Sequence, residues 1–402
     1  MNFCINIEKN YERLLSEEYS FEKLFRPSEY DWPGDWEGRA LLAFLCHKEI
    51  HGGEVPHLHR FFNEIPKRTN EHLYFGKIFD GVTVDEQQLS GHNWYLRGLI
   101  KYAEIYGSDE AMKIAKSTVE NLYLPALKWY SRYPLERDTA DGDVSGSVTG
   151  TINGWRLSSD VGCAFMCVDG LAKYYAATKD ERVKGFLDSV IELLVSVDLC
   201  KYKLQTHTTL TCLRGILSLF VTTGDERYLD TVREKFAIYT ERGMTLTYEN
   251  FNWFGREDTW TEPCAVVDSL ILATELYRLT DEHEYLTLAR RIWFSGLQFC
   301  QRENGGAGPN TCVTKEQTVL KISMYEAPFC CTMRYAEGLL EYYNNRELFT
   351  FDEQATVFVD ELGRRFIDDR LIVEYNQETT PIFSCNGIPE DEAKKIELKV
   401  VF

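Results

Sequence analysis

Two short motifs of the sequence carry residue types that could bind a metal ion: Glu262-Pro263-Cys264 and the pair Cys330-Cys331. One carboxylate and three thiolates supply four anionic ligands, which is a full tetrahedral set for zinc. Adjacent cysteines are poor disulfide partners because the ring between them is strained, yet two neighbouring thiolates can bind one ion where the backbone turns sharply. The four side chains therefore predict a Zn²⁺ site.

The spacing of these cysteines differs from that of structural zinc ribbons, which use two Cys-x-x-Cys pairs. The chain has 12 cysteines, so Cys330 and Cys331 could instead be ordinary buried thiols. From the residues alone, both interpretations stay open.

Four stretches with a similar pattern indicate the elements that must position these residues. They begin at residues 98, 170, 215 and 271, so the intervals between them are 72, 45 and 56 residues. Each is an amphipathic stretch that ends at a Gly or polar turn before a second helical stretch, and Asp225 or Asp281 is expected to cap the helix that follows. Two sets of apolar residues have the i, i+3, i+4, i+7 spacing of one helix face: Leu213, Ile216, Leu217 and Phe220, and Leu187, Val190, Ile191 and Leu194.

Helical hairpins that repeat at these intervals predict a helical array. The intervals are too irregular for a tight solenoid, and they favour a mainly α fold, an (α/α)6 toroid whose helix ends line a central cleft. An open superhelical repeat is the alternative.

The two ends of the chain have a different pattern. Residues 355–359, 371–375 and 396–402 are rich in β-branched residues and predict strands. The alternation of Phe3, Ile5 and Ile7 suggests that the N-terminus joins the same small sheet. We place the domain boundary near Asn345, with a toroid over residues 1–345 and a small β segment over 346–402.

Charge and composition limit the partners. The 402 residues include 44 Lys and Arg against 63 Asp and Glu, a net charge of −19. Such a surface repels nucleic acid and anionic lipid and suits a small neutral or cationic substrate. We find no signal peptide and no apolar run of membrane-spanning length. Unpaired cysteines in a chain without an export signal predict a cytoplasmic protein.

The motifs together resemble glycoside hydrolase family 127, the β-L-arabinofuranosidase-like enzymes with an α/α-toroid catalytic domain. Glu262-Pro263-Cys264 is similar to the family's Glu-Thr-Cys, and Cys330-Cys331 to its paired cysteines. The segments around His92 and His207 resemble its two Gly-His segments at helix starts. The likeness spans about residues 30 to 345, so the chain would be a divergent and shortened member.

The resemblance implies roles for single residues. Zinc would be bound by Glu262, Cys264, Cys330 and Cys331, and Cys330 would be the nucleophile of a retaining glycosidase acting on β-L-arabinofuranosides or related sugars. The family's acid/base glutamate precedes the Glu-x-Cys motif, which points to Glu249, with Glu257 as the alternative.

His92 and His207 would contact substrate hydroxyls, although either could equally be a helix-capping or core histidine. The family's Pro-Pro-Asn after the cysteine pair is replaced here by Thr332-Met333-Arg334, which puts the substrate pocket more in doubt than the metal site.

Two other functions remain compatible with the sequence. The first is a toroid epimerase, lyase or unsaturated-uronyl hydrolase that uses carboxylates alone. The second is a non-catalytic carbohydrate-binding protein with structural zinc. The sequence does not decide the oligomeric state, and exposed sheet edges could pair two copies.

Overall fold

The computed structural model describes residues 3–25, 32–137, 145–317 and 319–349, together with five strands nearer the C-terminus. The chain divides into two compact units. Unit 1 comprises Met1–Leu14, Gly243–Asn252 and Arg256–Phe402, and unit 2 comprises Leu15–Arg242 and Trp253–Gly255. The predicted boundary near Asn345 stays a prediction.

The described part of the chain is mainly α-helical. In chain order, the helices are α1 (Phe3–Leu14), α2 (Phe21–Leu24), α3 (Asp35–His51), α4 (Leu58–Arg68), α5 (Glu86–Tyr106), α6 (Asp109–Thr118), α7 (Leu124–Tyr130), α8 (Cys167–Thr178), α9 (Glu181–Ser196), α10 (Thr206–Thr223), α11 (Glu226–Arg242), α12 (Pro263–Thr280), α13 (His283–Arg291), α14 (Gln298–Cys300) and α15 (Cys331–Asn344). Short π-helical turns continue α6 into α7 and α13 into α14. No helix in these described ranges is both long enough and apolar enough to span a membrane.

The predicted helical hairpins are confirmed. The four repeated stretches lie in α5, α8, α10 and α12, and each of these helices is followed within a few residues by its partner, α6, α9, α11 or α13. The predicted face of α9 is buried, with Leu187, Val190 and Leu194 at 0% exposure. The spacing of apolar residues predicted these helices correctly, because a helix that buries one face needs apolar residues at that spacing.

The capping prediction is right at one aspartate and wrong at the other. Asp225 Oδ1 accepts a hydrogen bond from the backbone N–H of Arg227 (3.1 Å) at the start of α11. Asp281 instead ends α12 in a left-handed conformation with φ 58°, and Glu282 takes the N-cap position of α13. A residue after the last helical turn can adopt this conformation to bond a free carbonyl, and the N–H of Asp281 donates to Tyr277 O (2.8 Å).

Close backbone contact fixes α5 against α3 in unit 2. A Cβ atom on Gly38 of α3 would lie 2.1 Å from the backbone nitrogen of Tyr95 on α5. A Cβ atom on Gly91 would lie 2.4 Å from the carbonyl oxygen of Pro33. The two helices can approach so closely only because these positions lack side chains, and the contact places His92 at the segment that leads into α3.

The strands of the described residues form three small sheets. They are β1 (Val84–Asp85), β2 (Val148–Ile152), β3 (Trp155–Ser158), β4 (Thr356–Phe358), β5 (Arg364–Phe366), β6 (Leu371–Glu374), β7 (Ile382–Cys385) and β8 (Lys399–Val401). The strand order is β1-β3-β2 in unit 2, and β4-β8 and β5-β6-β7 in the C-terminal part. The predicted C-terminal strands are confirmed in β4, β6 and β8. The other residues of these predicted strands, 355, 359, 375, 396–398 and 402, lie outside the described part of the chain.

The predicted N-terminal strand is wrong, because Phe3, Ile5 and Ile7 lie in α1. The hairpin of β2 and β3 was not predicted. Its turn is Asn153-Gly154, with φ values of 52° and 80°, and this pair strongly favours a two-residue hairpin.

Candidate metal centre and active site

Three buried thiols meet in unit 1. The Sγ atoms of Cys264 and Cys331 are 3.7 Å apart, and those of Cys330 and Cys331 are 3.3 Å apart. All three sulfurs lie within 4.8 Å of one another. The exposure of the three residues is 0%, 8% and 1% in sequence order. The structure therefore brings together the predicted cysteines from two segments that are 66 residues apart, and the group could hold a metal ion.

The thiols come together because each segment begins a helix. Pro263 occupies the first position of α12, where its missing N–H costs nothing, so Cys264 lies in the first turn. Cys330 precedes α15 with φ −145° and ψ −67°, outside the helical region, and Cys331 is the first helical residue. The positive ends of two helix dipoles thus lie at the cysteines, where they favour anionic sulfur.

The geometry fits a tetrahedral thiophilic ion. With Zn–S bonds of about 2.3 Å, two ligand sulfurs lie about 3.8 Å apart. The Cys264–Cys331 separation matches this value, and Cys330 and Cys331 need to separate by only about half an ångström. Burial and the two neighbouring thiols raise the pKa of Cys331 well above its usual range, so the cluster favours its protonated form until a cation binds.

The fourth predicted ligand, Glu262, lies beside the cluster. It is the N-cap residue of α12, and one of its carboxylate oxygens lies within 4.8 Å of Cys264 Sγ. Its backbone N–H donates to Asn250 Oδ1 (2.7 Å), which fixes the start of the helix. Its role as a ligand stays a prediction.

A buried ion pair connects the two helices that carry the thiols. Arg334 of α15 contacts Asp268 of α12, and both side chains are at most 1% exposed. Arg334 also pairs with Glu337 on its own helix. At the next turn, a Cβ atom on Gly338 would lie 2.7 Å from a methyl group of Leu297 and 3.1 Å from one of Val267, so a side chain at this position would require Leu297 to shift.

The predicted acid/base residue, Glu249, is fully buried in unit 1 and strongly hydrogen-bonded. Thr247 Oγ1 donates to its Oε2 (2.9 Å). Its Oε1 accepts from Thr261 Oγ1 (3.1 Å), from Asn310 Nδ2 (2.7 Å) and from the Cys300 thiol (3.7 Å). Thr261 directly precedes Glu262, so these bonds link Glu249 to the start of α12.

The alternative acid/base residue, Glu257, is exposed on the loop before α12. The two glutamates therefore differ sharply in environment. The assignment of the acid/base role stays a prediction.

Sequence reasoning missed the residues that hold Glu249 in place. Asn310 donates to Glu249, and its Oδ1 accepts from Arg302 Nη2 (3.0 Å). The Arg302 guanidinium also donates to the carbonyls of Gly308 (2.7 Å) and Pro309 (2.8 Å), which shapes the loop. These contacts join segments up to 61 residues apart, and no local pattern marks them.

The two predicted substrate histidines lie in unit 2. His92 is fully buried. Its Nδ1 is 2.7 Å from Gln88 O and its Nε2 accepts from the backbone N–H of Phe75 (3.0 Å). Burial lowers the pKa of His92 to about 4, so the ring is neutral near pH 7. These bonds account for the position of His92 without a substrate.

His207, in the first turn of α10, is 2% exposed and stacks on the ring of Trp94 with 5.8 Å between centroids. The Arg39 guanidinium lies 4.1 Å from the same Trp94 ring. Cation–π and ring stacking thus fix the histidine and the tryptophan in one buried group. The predicted contacts of both histidines with substrate remain predictions.

Neither a family model nor a curated protein sequence matches this chain. Solved structures do match it. A cellobiose 2-epimerase from Bacillus thermoamylovorans has a TM-score of 0.53 at 14% identity, and the match covers 78% of this chain and 88% of the epimerase. A glycoside hydrolase family 127 β-arabinofuranosidase has a TM-score of 0.55 at 11% identity, over 92% of this chain and 62% of its own. A family 127 β-L-arabinofuranosidase from Geobacillus stearothermophilus has a TM-score of 0.51 at 13% identity, over 92% of this chain and 65% of its own.

At such low identity these similarities show the fold alone. The chain has the predicted fold class, a mainly α protein of the α/α-toroid type with a small β-sheet. It spans less than two thirds of the length of either arabinofuranosidase.

Proposed function

We propose that the protein is a zinc-dependent retaining glycoside hydrolase with Cys330 as its nucleophile. The observation that carries this proposal is the group of three buried thiols at the starts of α12 and α15, all within 4.8 Å of one another. Glu262, Cys264, Cys330 and Cys331 would hold the ion. Zinc bound there would keep the thiols deprotonated and would ease both the attack and the departure of sulfur.

The reaction would proceed in two steps. The Cys330 sulfur attacks the anomeric carbon, the bond from that carbon to the leaving oxygen breaks, and the Glu249 carboxyl gives its proton to the leaving oxygen. The Glu249 carboxylate then takes a proton from water as the water oxygen attacks the same carbon. The C–S bond breaks, and Cys330 regains its electron pair. Two displacements at one carbon retain its configuration.

The proposed substrates are β-L-arabinofuranosides or related sugars. Two of the similar structures are family 127 arabinofuranosidases, and this supports the sugar class. The net charge of −19 disfavours an anionic polymer as substrate. The substrate contacts predicted for His92 and His207 stay predictions, and residence in the cytoplasm remains part of the proposal.

Elemental analysis tests the metal site. Purified wild-type protein should contain about one zinc per chain, and Cys331→Ala should lose most of it because three ligands bind zinc far more weakly than four. Cys212→Ala is the matched control, because this cysteine is equally buried but lies in unit 2. Wild-type protein without zinc after purification and zinc addition would contradict the proposal.

A second candidate function is a sugar epimerase, lyase or unsaturated-uronyl hydrolase that uses carboxylates alone. The match to cellobiose 2-epimerase, over 88% of that enzyme, favours it. Alkylation of the metal-free protein with iodoacetamide separates the two, because a carboxylate enzyme keeps its activity while a cysteine nucleophile is blocked. Bound zinc without any turnover of arabinofuranosides or cellobiose would favour a carbohydrate-binding protein with structural zinc.

A further inference from the structure

We propose that Arg334 is a positioning residue for the metal centre: its buried ion pairs fix the register of α15 against α12 and thereby hold the three thiols at ligand distance. The inference rests on the proposed metal site and adds to it a residue outside the ligand set. In the sequence, Arg334 belongs to the segment that departs from the family 127 pattern after the paired cysteines.

The ion pair lies one helical turn from the thiols on both helices. Asp268 follows Cys264 by four residues on α12, and Arg334 follows Cys331, the first residue of α15, by three. Residues three or four apart lie on the same helix face. The contact between Asp268 and Arg334 therefore joins the same two faces that bring Cys264 and Cys331 to 3.7 Å.

The backbone connects Arg334 directly to the nucleophile candidate. The Arg334 N–H donates to the carbonyl oxygen of Cys330 (3.0 Å), so Arg334 closes the first turn of α15. Its guanidinium also pairs with Glu337. A planar guanidinium that bridges two carboxylates has one preferred orientation. The Arg334 guanidinium therefore fixes both the rotation of α15 about its own axis and its position along that axis relative to α12.

The energetics favour a geometric role over a stabilising one. Arg334 and Asp268 are 1% and 0% exposed, and the loss of solvation for buried charges offsets most of their attraction. Apolar residues of similar volume often stabilise such a position equally well or better. In some proteins, however, buried ion pairs specify one arrangement of their helices, and here we infer that this arrangement holds three sulfurs from two helices.

The test removes the charges and measures zinc affinity in competition with a chromophoric chelator. The variant is Arg334→Met/Asp268→Leu/Glu337→Gln, which removes the three charges together so that none of the three is left without the other two. We expect its zinc affinity to fall about 10- to 100-fold, as for other residues that orient metal ligands. The urea midpoint of the metal-free protein should stay close to that of wild type.

The matched control is Arg97→Met/Asp169→Leu. This pair is also buried, with side chains 8% and 1% exposed and 3.0 Å between Arg97 Nε and Asp169 Oδ2, and it joins α5 to α8 in unit 2. Its loss should leave zinc affinity unchanged. Co²⁺ substitution adds a spectroscopic measurement, because the visible bands of thiolate-bound cobalt report coordination geometry and should shift only in the Arg334 variant.

A folded triple variant with zinc affinity within about threefold of wild type and an unchanged cobalt spectrum would overturn the inference. If the triple variant does not fold, Arg334→Lys is tested instead. Lysine keeps the positive charge but lacks the planar guanidinium. Unchanged zinc affinity in Arg334→Lys would also overturn the inference. A wild-type protein that binds no zinc contradicts the proposed function itself, so the two failures are distinguishable.

Discussion

The helix starts of the two units hold the side chains that the sequence analysis singled out in different ways. In unit 1, the thiols at the starts of α12 and α15 contact one another, at 3.7 and 3.3 Å. In unit 2, His92 near the start of α5 contacts the backbone through both ring nitrogens. Both groups are buried, but the thiols are arranged as a ligand set, whereas the ring nitrogens of His92 are bonded to the backbone.

This difference teaches that burial of a polar or nucleophilic side chain does not by itself indicate function. His92 is bound by donors and acceptors of its own fold, and such a group contributes to stability. Three thiols within 4.8 Å of one another form no strong hydrogen bonds among themselves, and a cation would satisfy them far better. The proposed chemistry therefore belongs to unit 1, and the following predictions test that proposal.

The largest effect is expected from Cys330→Ser. Turnover of an aryl β-L-arabinofuranoside should fall by at least about 1,000-fold, because a serine hydroxyl at neutral pH is a far weaker nucleophile than a thiolate. Cys212→Ser in unit 2 should retain activity. Steady-state kinetics compare the turnover of the two variants. Full activity in Cys330→Ser would show that Cys330 is not the nucleophile.

Glu249→Gln should have the next largest effect. Without an acid, hydrolysis of substrates with poor leaving groups should slow by about 100-fold or more, while good leaving groups should be affected less in the first step. Glu257→Gln should change little because that residue is exposed. The ratio of kcat/KM for an alkyl and an aryl glycoside measures the effect, and the opposite ranking of the two variants would transfer the acid/base role to Glu257.

The smallest effect on turnover is expected from His92→Gln, which should instead change the stability of the protein. The folded pKa of about 4 lies below the ordinary value of 6.5. Between these values the unfolded chain binds the extra proton, so the contribution of His92 to the free energy of unfolding is largest above pH 6.5 and falls as the pH drops toward 4. His92→Gln should remove up to about 3 kcal/mol of this acid sensitivity, measured by urea unfolding at pH 7.5 and 4.5.

The structural role of His92 predicts an unchanged KM in this variant. A raised KM with the same pH dependence of stability as wild type would instead support a substrate contact. In that case a residue of unit 2 would also have a functional role, and the two units would differ less than proposed.

The sequence predicted the fold where its signals were local. Leu187, Val190 and Leu194 gave α9 because apolar spacing follows directly from helix geometry. The same reasoning failed at Phe3, Ile5 and Ile7, because alternation over five residues is too short to separate a strand from the helix α1. Asn153-Gly154 did carry a local signal for the missed hairpin.

The candidate site was predictable only in its residue types. Glutamate and cysteine near one another in two motifs pointed to a metal, and the structure brings the three thiols together. Asn310, Arg302 and Arg334 could not be found in this way, because an amide or a guanidinium in a sequence does not indicate which distant group it will contact. Long-range hydrogen bonds of this kind depend on the completed fold.

The helix α1 has a consequence for the order of folding. Asn10 Nδ2 donates to Gly305 O and to Thr332 O (both 3.1 Å), partners that follow it by 295 and 322 residues. At ribosomal rates of about 5–20 residues per second, α1 leaves the ribosome roughly 15–60 s before its partners exist. Unit 2 can form during that interval. Unit 1, which carries the thiols, cannot form until the partners of Asn10 have been synthesised. The cysteines that would bind zinc are thus among the last to become buried, which leaves a period in synthesis when an ion could enter freely.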